Sequence, residues 1–327
     1  MYNVIQTFLS IVLTVLNVFS SPLFGSYSAK QEPIDPNNCR LNFAAISDIH
    51  MTDEALRSMM LSFGLNSMQN SYYRIDALVC SGDLTDHGEK EEWDNLASTF
   101  AKYSPANNII LAQGNHDTWT EDDGYALARD YFIEYNEKIT GRKIENEYYS
   151  TKINGYTFIV LGSETDRTSA YFSDAQLAWL EAEMEKAAAD DLPIFVVSHW
   201  PINESHGLPE TWGDDEPEPD DGGIGDQSAA VESILKKYDN VFMISGHLHN
   251  GFVNENQVET YTYNSVESDG SFHSINLSPY MYMTIRGRVS NGTGLMIEVY
   301  DETVEIRARS FSAGVWYTDY TWSIPLV

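Results

Sequence analysis

Short apolar runs alternate with longer amphipathic stretches over the first two-thirds of the chain. The apolar runs are predicted to be buried strands, because each is brief and ends in polar residues. The stretches between them space apolar side chains three and four residues apart, as in the run from Asp53 to Gln69, where Leu56, Met59, Met60 and Phe63 share one side. Strands separated by helices are typical of βαβ units, so the sequence predicts an α/β fold with a largely parallel sheet.

The individual elements follow from this pattern. The predicted strands are Leu41–Ser47, Ala77–Cys80, Asn108–Ala112, Pro193–Ser198 and Val241–Ser245, with a hairpin of Glu147–Thr151 and Tyr156–Leu161 about Asn154 and Gly155. The predicted helices are Asp53–Gln69, Glu89–Tyr103, Asp122–Ile139, Ser173–Ala189 and Gln227–Tyr238. From Gln257 onward, short β-rich runs replace the helices: Val258–Tyr263, Phe272–Asn276, Tyr280–Arg286, Leu295–Tyr300 and Thr303–Arg309.

The N-terminal residues 1–29 have a different pattern. Ile5 to Phe24 is mostly apolar and is followed by a run of small residues, which is typical of a secretory signal peptide and predicts a secreted or extracytoplasmic protein. The first four residues contain no Lys or Arg, so a retained membrane anchor and a buried core helix are the alternatives. Residues 30–40, with Pro33, Pro36 and acidic side chains, are predicted to be an exposed linker.

Five of the predicted strands end in a cluster that contains Asp, Asn or His. In chain order the clusters are Asp48 with His50, Asp83, Asn115 with His116, His199, and His247 with His249. The carboxyl ends of parallel strands meet at one edge of a sheet, where ligands bind in open α/β folds. One such ending is ordinary for a strand that leaves the core, but five in one chain predict a single functional site.

The residue types in these clusters indicate metal chemistry. The seven candidate ligands are Asp48, His50, Asp83, Asn115, His199, His247 and His249, a set without Cys that suits Mn, Fe or Zn. One catalytic metal takes only three or four ligands from the protein, so the sequence predicts two divalent or trivalent transition-metal ions that share a ligand. Two such ions can clamp the attacking and leaving oxygens of a phosphoryl group and acidify a bridging water.

The five clusters resemble the blocks of the calcineurin-like metallophosphoesterases. The matching blocks are Asp48-Ile-His50, Gly82-Asp83, Gly114-Asn115-His116-Asp117, Ser198-His199 and Gly246-His247-Leu-His249. The resemblance implies a four-layer α/β/β/α sandwich, with two mixed β-sheets flanked by helices. Residues 41–250 would form the catalytic core, and the β-rich residues 251–327 would complete the second sheet.

The resemblance also implies how the ligands divide. Asp48, His50, Asp83 and His249 would hold one metal, and Asp83 would bridge to a second metal that is held also by Asn115, His199 and His247. The implied reaction is in-line attack on phosphorus by a hydroxide that bridges the two ions.

His116 and Asp86 are the candidate catalytic residues. In the family, the His that follows the metal-binding Asn contacts the phosphoryl group and helps the leaving oxygen depart, and this position is His116. Asp86 matches a position that orients this His, since a carboxylate fixes an imidazole tautomer, although a plain turn residue is the alternative for Asp86. Asn115, His116 and Trp200 are the candidates for substrate contact, where Trp200 would either stack on a base or sugar or pack into the fold.

The blocks resemble some branches of the family more than others. Serine/threonine protein phosphatases have an Arg where His87 stands, and purple acid phosphatases have a Tyr ligand where Asp86 stands. With no Arg in the five blocks, the sequence looks most like the cyclic-nucleotide and glycerophosphodiester branch and predicts a phosphodiesterase that acts on a small phosphate ester. The alternatives are a phosphomonoesterase of acid-phosphatase or nucleotidase type, a phospholipid or sphingolipid phosphodiesterase, and a non-catalytic binding protein.

Composition narrows the range of partners. An apolar fraction of 43% is ample for a folded core, and 19 Lys plus Arg against 49 Asp plus Glu give a net charge of −30. Such a surface repels polyanions, so no nucleic-acid partner is expected, and membrane contact is expected only through an uncleaved N-terminal anchor. The expected partner is a small phosphorylated substrate.

The acidic stretch Asp214–Asp221 is predicted to be a solvated loop or a lid, and His206 and His273 are predicted to be surface or turn residues.

Overall fold

The computed structural model of the protein describes most of the chain. The described residues are 34–71, 75–103, 105–120, 124–165, 169–207, 223–252, 256–258, 261–281 and 292–327. The predicted signal peptide or anchor, the linker before residue 34, the acidic stretch Asp214–Asp221 and the run after residue 281 lie outside them. Within these ranges, no helix combines the length and the hydropathy that crossing a bilayer requires.

Strands and helices alternate through the first two-thirds of the chain, as predicted. The strands are β1 (Leu41–Ile46), β2 (Ala77–Ser81), β3 (Asn108–Ala112), β4 (Tyr149–Ile153), β5 (Tyr156–Val160), β6 (Ile194–Val197), β7 (Val241–Ser245), β8 (Asn256–Val258), β9 (Tyr261–Tyr263), β10 (Val266–Asp269), β11 (Phe272–Asn276), β12 (Thr293–Val299), β13 (Thr303–Ser310) and β14 (Val315–Pro325). The helices are α1 (Ala55–Ser71), α2 (Lys90–Lys102), α3 (Gly124–Thr140), α4 (Asp174–Ala188) and α5 (Ser228–Leu235).

Two mixed sheets of six strands carry the fold. The first has the order β14-β13-β12-β1-β2-β3, and the second has the order β10-β11-β7-β6-β5-β4. Strands β1, β2 and β3 are parallel, as are β5, β6, β7 and β11. The ring of Phe43 on β1 meets those of Phe158 and Phe195 edge-on at centroid distances of 5.3 and 5.0 Å, so the sheets face each other across an aromatic core.

Helices cover the outer faces of both sheets. Helix α2 begins with a capping box between Glu89 and Glu92 and buries Trp93 and Phe100 in the core, and the neighbouring helix α3 packs against β3 of the first sheet. Leu180 of α4 and Val231 of α5 belong to a second apolar cluster on the outer face of the second sheet. The four-layer sandwich expected from the resemblance is therefore the observed architecture.

Helix α1 buries only half of the predicted face: Met60 is buried and Leu56 packs against the core, but the other two residues are exposed. Met59 and Phe63 are 44% and 51% exposed, whereas Leu61, Leu65 and Met68 are buried. The apolar residues of this helix lie all around it, so spacing alone does not select the buried side.

The C-terminal strands complete both sheets rather than the second alone. Strands β10 and β11 extend the second sheet, but β12, β13 and β14 extend the first, with β12 antiparallel to β1. Strand β2 pairs with only one side of β1, so β12 satisfies the backbone groups on the other side, which a buried strand cannot leave unpaired. The predicted run Val258–Tyr263 is two short strands, β8 and β9, that form an antiparallel pair.

Candidate metal centre

The chain turns sharply where the candidate ligands follow the strands. Five of the seven candidates have positive φ angles: Asp48 (54°), His50 (45°), Asp83 (46°), His247 (70°) and His249 (48°). Residues other than Gly rarely adopt this backbone conformation, which costs on the order of 1 kcal/mol or more per residue. Such residues are concentrated at functional sites. The turns aim side chains from several strands at one volume.

Two glycines allow the ligand loops to approach each other. A Cβ atom on Gly114 would lie 2.2 Å from Oδ1 of Asp83, and one on Gly82, where φ is +92°, would lie 2.5 Å from Nδ1 of His199. Only a residue without a side chain fits at either position.

One group of ligand atoms gathers Asp48, His50, Asp83 and His249. One ligand atom from each of these four buried residues lies within 4.8 Å of all the others. Nε2 of His249 is 3.0 Å from Oδ1 of Asp48, and Nε2 of His50 is 3.5 Å from Oδ2 of Asp83. This group is the set that the resemblance implies for the first metal.

A second group of atoms lies on the other side of Asp83. Oδ2 of Asp83 is 3.2 Å from Nε2 of His199, and that nitrogen is 3.3 Å from Nδ1 of His247. Oδ1 of Asn115 is buried and accepts no hydrogen bond. The carboxylate of Asp83 therefore lies between two sets of histidine nitrogens, where one group can serve two ions.

The hydrogen bonds around the histidines show that this cluster fits a cation. Nδ1 of His50 donates to Oδ1 of Asp86 at 3.0 Å, and Nδ1 of His199 donates to the carbonyl of Ser81 at 2.9 Å. In the neutral rings Nε2 then carries the lone pair, and both Nε2 atoms face the Asp83 carboxylate. Facing lone pairs repel unless a cation lies among them, and an imidazole and carboxylate set suits Mn, Fe or Zn.

Burial and the neighbouring charged groups shift the pKa values of the clustered residues. Burial lowers the pKa of His199, but the Asp83 and Asp48 carboxylates and the Ser81 carbonyl together outweigh burial and raise the pKa to about 9, so the cluster attracts positive charge. Burial lowers the pKa of His50 to about 4, although Asp86 opposes this shift. The low pKa keeps the ring neutral, as a metal ligand must be. Burial would raise the pKa of Asp83, but His199 and His116 hold it well below its usual range.

Asp86 contacts two histidines, in a different way from the one predicted. The sequence predicts that the Asp86 carboxylate orients His116, yet its Oδ1 accepts from His50 and lies 3.8 Å from Nδ1 of His116. The backbone carbonyl of Asp86 accepts the Nδ1 proton of His116 at 2.8 Å instead. The Asp86 amide donates to the carbonyl of Met51 at 3.0 Å, which holds the residue against the loop that carries His50. The carboxylate therefore fixes the tautomer of a candidate ligand, and the main chain orients His116.

Asp117 has a structural role that its block did not reveal. Its buried carboxylate accepts from the amides of Leu84, Thr85 and Gly114 at 3.2, 2.8 and 2.8 Å and from the Thr85 hydroxyl at 2.7 Å. Burial, followed by the charge of Asp83, raises its pKa to about 6. The carboxylate joins the loop that follows β2 to the loop that follows β3.

Trp200 packs into the fold. Its side chain is fully buried in the cluster on the outer face of the second sheet, and its ring meets that of His199 edge-on at 5.3 Å. Of the two predicted roles, packing into the fold is the observed one. Trp200 supports a candidate ligand from behind.

His206 and His273 are both buried, so neither is a surface residue as predicted, although His206 does lie in a turn, Ser205–Gly207. Nδ1 of His206 donates to the carbonyl of Asn264 at 2.8 Å, and the ring of His273 packs 4.7 Å from that of Phe242 between the sheets. His206 lies between Ser205 and Gly207, so only the packing of this turn against β10 and β11 reveals its burial. His273 is itself a residue of β11, and its side chain faces Phe242.

The fold and the clustered ligands define a two-sheet protein with a candidate two-metal site at the carboxyl ends of its strands. The family model for calcineurin-like phosphoesterases matches residues 41–251. The chain belongs to the calcineurin-like phosphoesterase family.

The individual relatives described next share less than 30% sequence identity with the chain. The chain is 27% identical over 216 residues to a probable cyclic nucleotide phosphodiesterase of Rhodococcus erythropolis, covering 62% of this chain and 63% of that protein. It is 25% identical over 166 residues to purple acid phosphatase 18 of Arabidopsis thaliana, covering 49% of this chain but only 34% of that protein. In fold it is similar to a dimetal phosphatase of Danio rerio, with a TM-score of 0.61, 14% identity and coverage of 89% of this chain and all (100%) of that one.

Proposed function

We propose that the protein hydrolyses phosphate esters at a centre of two transition-metal ions, Mn, Fe or Zn. The observation that carries the proposal is the Asp83 carboxylate, whose Oδ2 lies 3.5 Å from Nε2 of His50 and 3.2 Å from Nε2 of His199. A metal pair held there would supply Lewis acidity and an activated water. Asp48, His50, Asp83 and His249 would hold one ion, and Asp83, Asn115, His199 and His247 would hold the other.

His116 is proposed to carry the proton that the departing alcohol needs. Since Nδ1 donates to the Asp86 carbonyl, Nε2 is the nitrogen that gains and loses a proton. The His116 side chain is 16% exposed, whereas those of His50 and His199 are fully buried, so His116 lies nearer to arriving substrate. Its backbone amide donates to Oδ1 of Asp83 at 3.0 Å, which fixes the residue next to the centre.

A phosphodiester is the proposed substrate. The five blocks contain no Arg that would clamp the second negative charge of a monoester. The position of the Tyr ligand of purple acid phosphatases is taken by Asp86, whose carboxylate accepts from His50. The Rhodococcus relative, named a probable cyclic nucleotide phosphodiesterase, supports the same choice.

A monoester is the second candidate, and one assay separates the two. The purple acid phosphatase relative supports the monoester. Mn-loaded protein should hydrolyse bis-p-nitrophenyl phosphate with a higher kcat/KM than p-nitrophenyl phosphate. Much faster hydrolysis of the monoester would reject the diester proposal and leave the two-metal proposal standing.

Substitution of Asp83 tests the centre itself. Asp83→Asn should abolish turnover of both esters and bring the bound metal below two ions per chain, because a neutral amide cannot bridge two cations. The circular dichroism spectrum should be unchanged. Unchanged turnover would refute the bridging role.

We further propose that residues 1–29 act as an export signal, with a retained anchor as the alternative. The support is the apolar run followed by small residues. Mass spectrometry of protein recovered from the producing cells would find a new N-terminus at Ser21 or Lys30 after cleavage, whereas an intact N-terminus in the membrane fraction would favour the anchor.

A further inference from the structure

Trp119 places an exposed indole beside His116. The ring centroids of the two residues are 3.9 Å apart, and the planes are tilted by 38°. The Trp119 side chain is 39% exposed, whereas Trp93 and Trp200 are fully buried. A large aromatic surface left in solvent next to a candidate catalytic residue is a reason to look for a ligand.

The backbone of Trp119 is tied to the loop that carries Asn115 and His116. Residues His116–Thr118 form a single 3-10 turn, and the Trp119 amide donates to the His116 carbonyl at 3.4 Å. The Thr118 hydroxyl donates to the carbonyl of Asn115 at 2.7 Å. The turn therefore fixes the backbone that carries the indole, and the contact with the His116 ring restricts the indole itself, which lowers the entropic cost of binding.

We propose that Trp119 is a specificity-determining residue that stacks on a planar ring in the departing alcohol of the ester. The inference rests on the proposed hydrolysis and adds a substrate class to it. His116 is the residue next to the departing oxygen, so the indole beside it faces that half of the ester. The half that stays on phosphorus lies away from it.

The chemistry of the indole selects the kind of group. Aromatic rings attract each other in offset or edge-on arrangements, and this adds about 0.5–1.5 kcal/mol beyond the area buried, equivalent to roughly a 2- to 12-fold preference for a planar over a saturated ring. Stacking requires no charge on the ligand. With a net charge of −30 on the chain, a neutral ring enters without the repulsion that a second anionic group would meet.

Two esters that differ only in ring planarity test the proposal. Benzyl methyl phosphate and cyclohexylmethyl methyl phosphate have similar size, charge and leaving alcohols, and release of each alcohol is measured by chromatography with Mn-loaded protein. The wild type should prefer the benzyl ester by roughly 3- to 10-fold in kcat/KM, mostly through KM. Trp119→Leu should bring the ratio to about 1, and Trp119→Phe should retain most of it.

A matched control removes an exposed aromatic elsewhere. Phe63 on α1 is 51% exposed and lies eight residues, about 12 Å of helix, beyond the start of α1. Phe63→Leu should leave both esters unaffected.

Other outcomes overturn the proposal in distinguishable ways. Equal losses on both esters in Trp119→Leu would assign Trp119 to the support of His116, and an unchanged ratio would leave it no role in selection. If the wild type hydrolyses neither ester, turnover of bis-p-nitrophenyl phosphate decides whether the proposed function fails, and calorimetric binding of benzyl methyl phosphate tests Trp119 alone. Equal affinity of wild type and Trp119→Leu in that experiment would reject the stacking role of Trp119.

Discussion

At the scale of single residues, the Asp86 carboxylate is the clearest case of a side chain that acts through a candidate ligand. Its Oδ1 accepts the Nδ1 proton of His50 at 3.0 Å, which directs the Nε2 lone pair toward Asp83. Outer hydrogen bonds of this kind typically change metal affinity or activity by about 10- to 100-fold. Asp86 is therefore a positioning residue for the metal centre.

Substitution of Asp86 is expected to weaken metal binding. Asp86→Ala should raise the dissociation constant for Mn by about 10-fold or more, because the His50 ring loses the partner that fixes its tautomer. Calorimetric titration of metal into apoprotein measures this directly. His116→Ala is the matched comparison, and it should lower kcat with little change in metal affinity. Equal metal affinities of Asp86→Ala and the wild type would contradict the assigned role.

The residue types of the centre could be predicted from sequence, but their connections could not. Each ligand block is local, with Asp48 and His50 two residues apart at the end of a strand. The partner of the Asp86 carboxylate depends instead on how the loop after β2 lies against the loop after β1. The Asp86 amide bonded to the Met51 carbonyl sets that contact, and no spacing within the chain specifies it.

At the scale of elements, the predicted strands whose ends carry ligands lie close to the observed ones. Strands β3 and β7 have the predicted bounds, since both are apolar runs closed by Gly-containing turns. Strand β14 is not among the predicted strands, although at 11 residues it is the longest strand in the described part of the chain. It lies at the edge of the first sheet, where its faces are unequally covered, so polar residues such as Thr318 and Asp319 interrupt the alternation that marks a half-buried strand.

The buried turn Ser205–Gly207 is expected to make the stability of the fold depend on pH. His206 adopts a φ of 60°, its amide donates to the Glu267 carboxylate at 2.7 Å, and its ring is buried against the hairpin of β10 and β11. Burial lowers the pKa of His206, with Glu267 opposing. The folded state then binds fewer protons than the unfolded chain below the usual histidine pKa of about 6.5, so stability is lost as the pH falls through that value.

Replacement of His206 should flatten this dependence. Asn tolerates positive φ and can donate to the Asn264 carbonyl, so His206→Asn should fold. The loss of unfolding free energy between pH 7.5 and pH 5.0 should be smaller in the variant, by at most about 1.4 kcal/mol per pH unit. Urea denaturation at the two pH values measures it. Identical losses in the variant and the wild type would mean that His206 is protonated in the folded state.

At the scale of the whole molecule, the two sheets contribute to the site in different ways. Strands β1, β2 and β3 of the first sheet carry the carboxylates, the amide and His50, while β6 and β7 of the second carry His199, His247 and His249. Helix and strand periodicity predicted the elements, but the division of the C-terminal strands between both sheets depends on which edge of β1 is open. That division supports β1 on both sides at the point where Asp48 leaves it.

The charge of the whole molecule opposes the substrate that the site is proposed to accept. A net charge of −30 repels phosphate esters over the Debye length, which shortens from roughly 25–30 Å at 10 mM salt to about 8 Å at 150 mM. Added KCl should therefore raise kcat/KM, whereas a positively charged surface would make it fall.

The effect should scale with the charge of the ester. Raising KCl from 10 to 150 mM should increase kcat/KM for bis-p-nitrophenyl phosphate, a monoanion, by roughly 1.5-fold, and for p-nitrophenyl phosphate, largely a dianion at pH 8, by roughly the square of that factor. Steady-state kinetics at constant pH and Mn concentration, repeated with tetramethylammonium chloride, separates screening from a specific effect of potassium. A decrease for both esters would show that attraction by the metal centre outweighs the surface charge. An equal increase for both would show that the effect of salt does not scale with the charge of the ester.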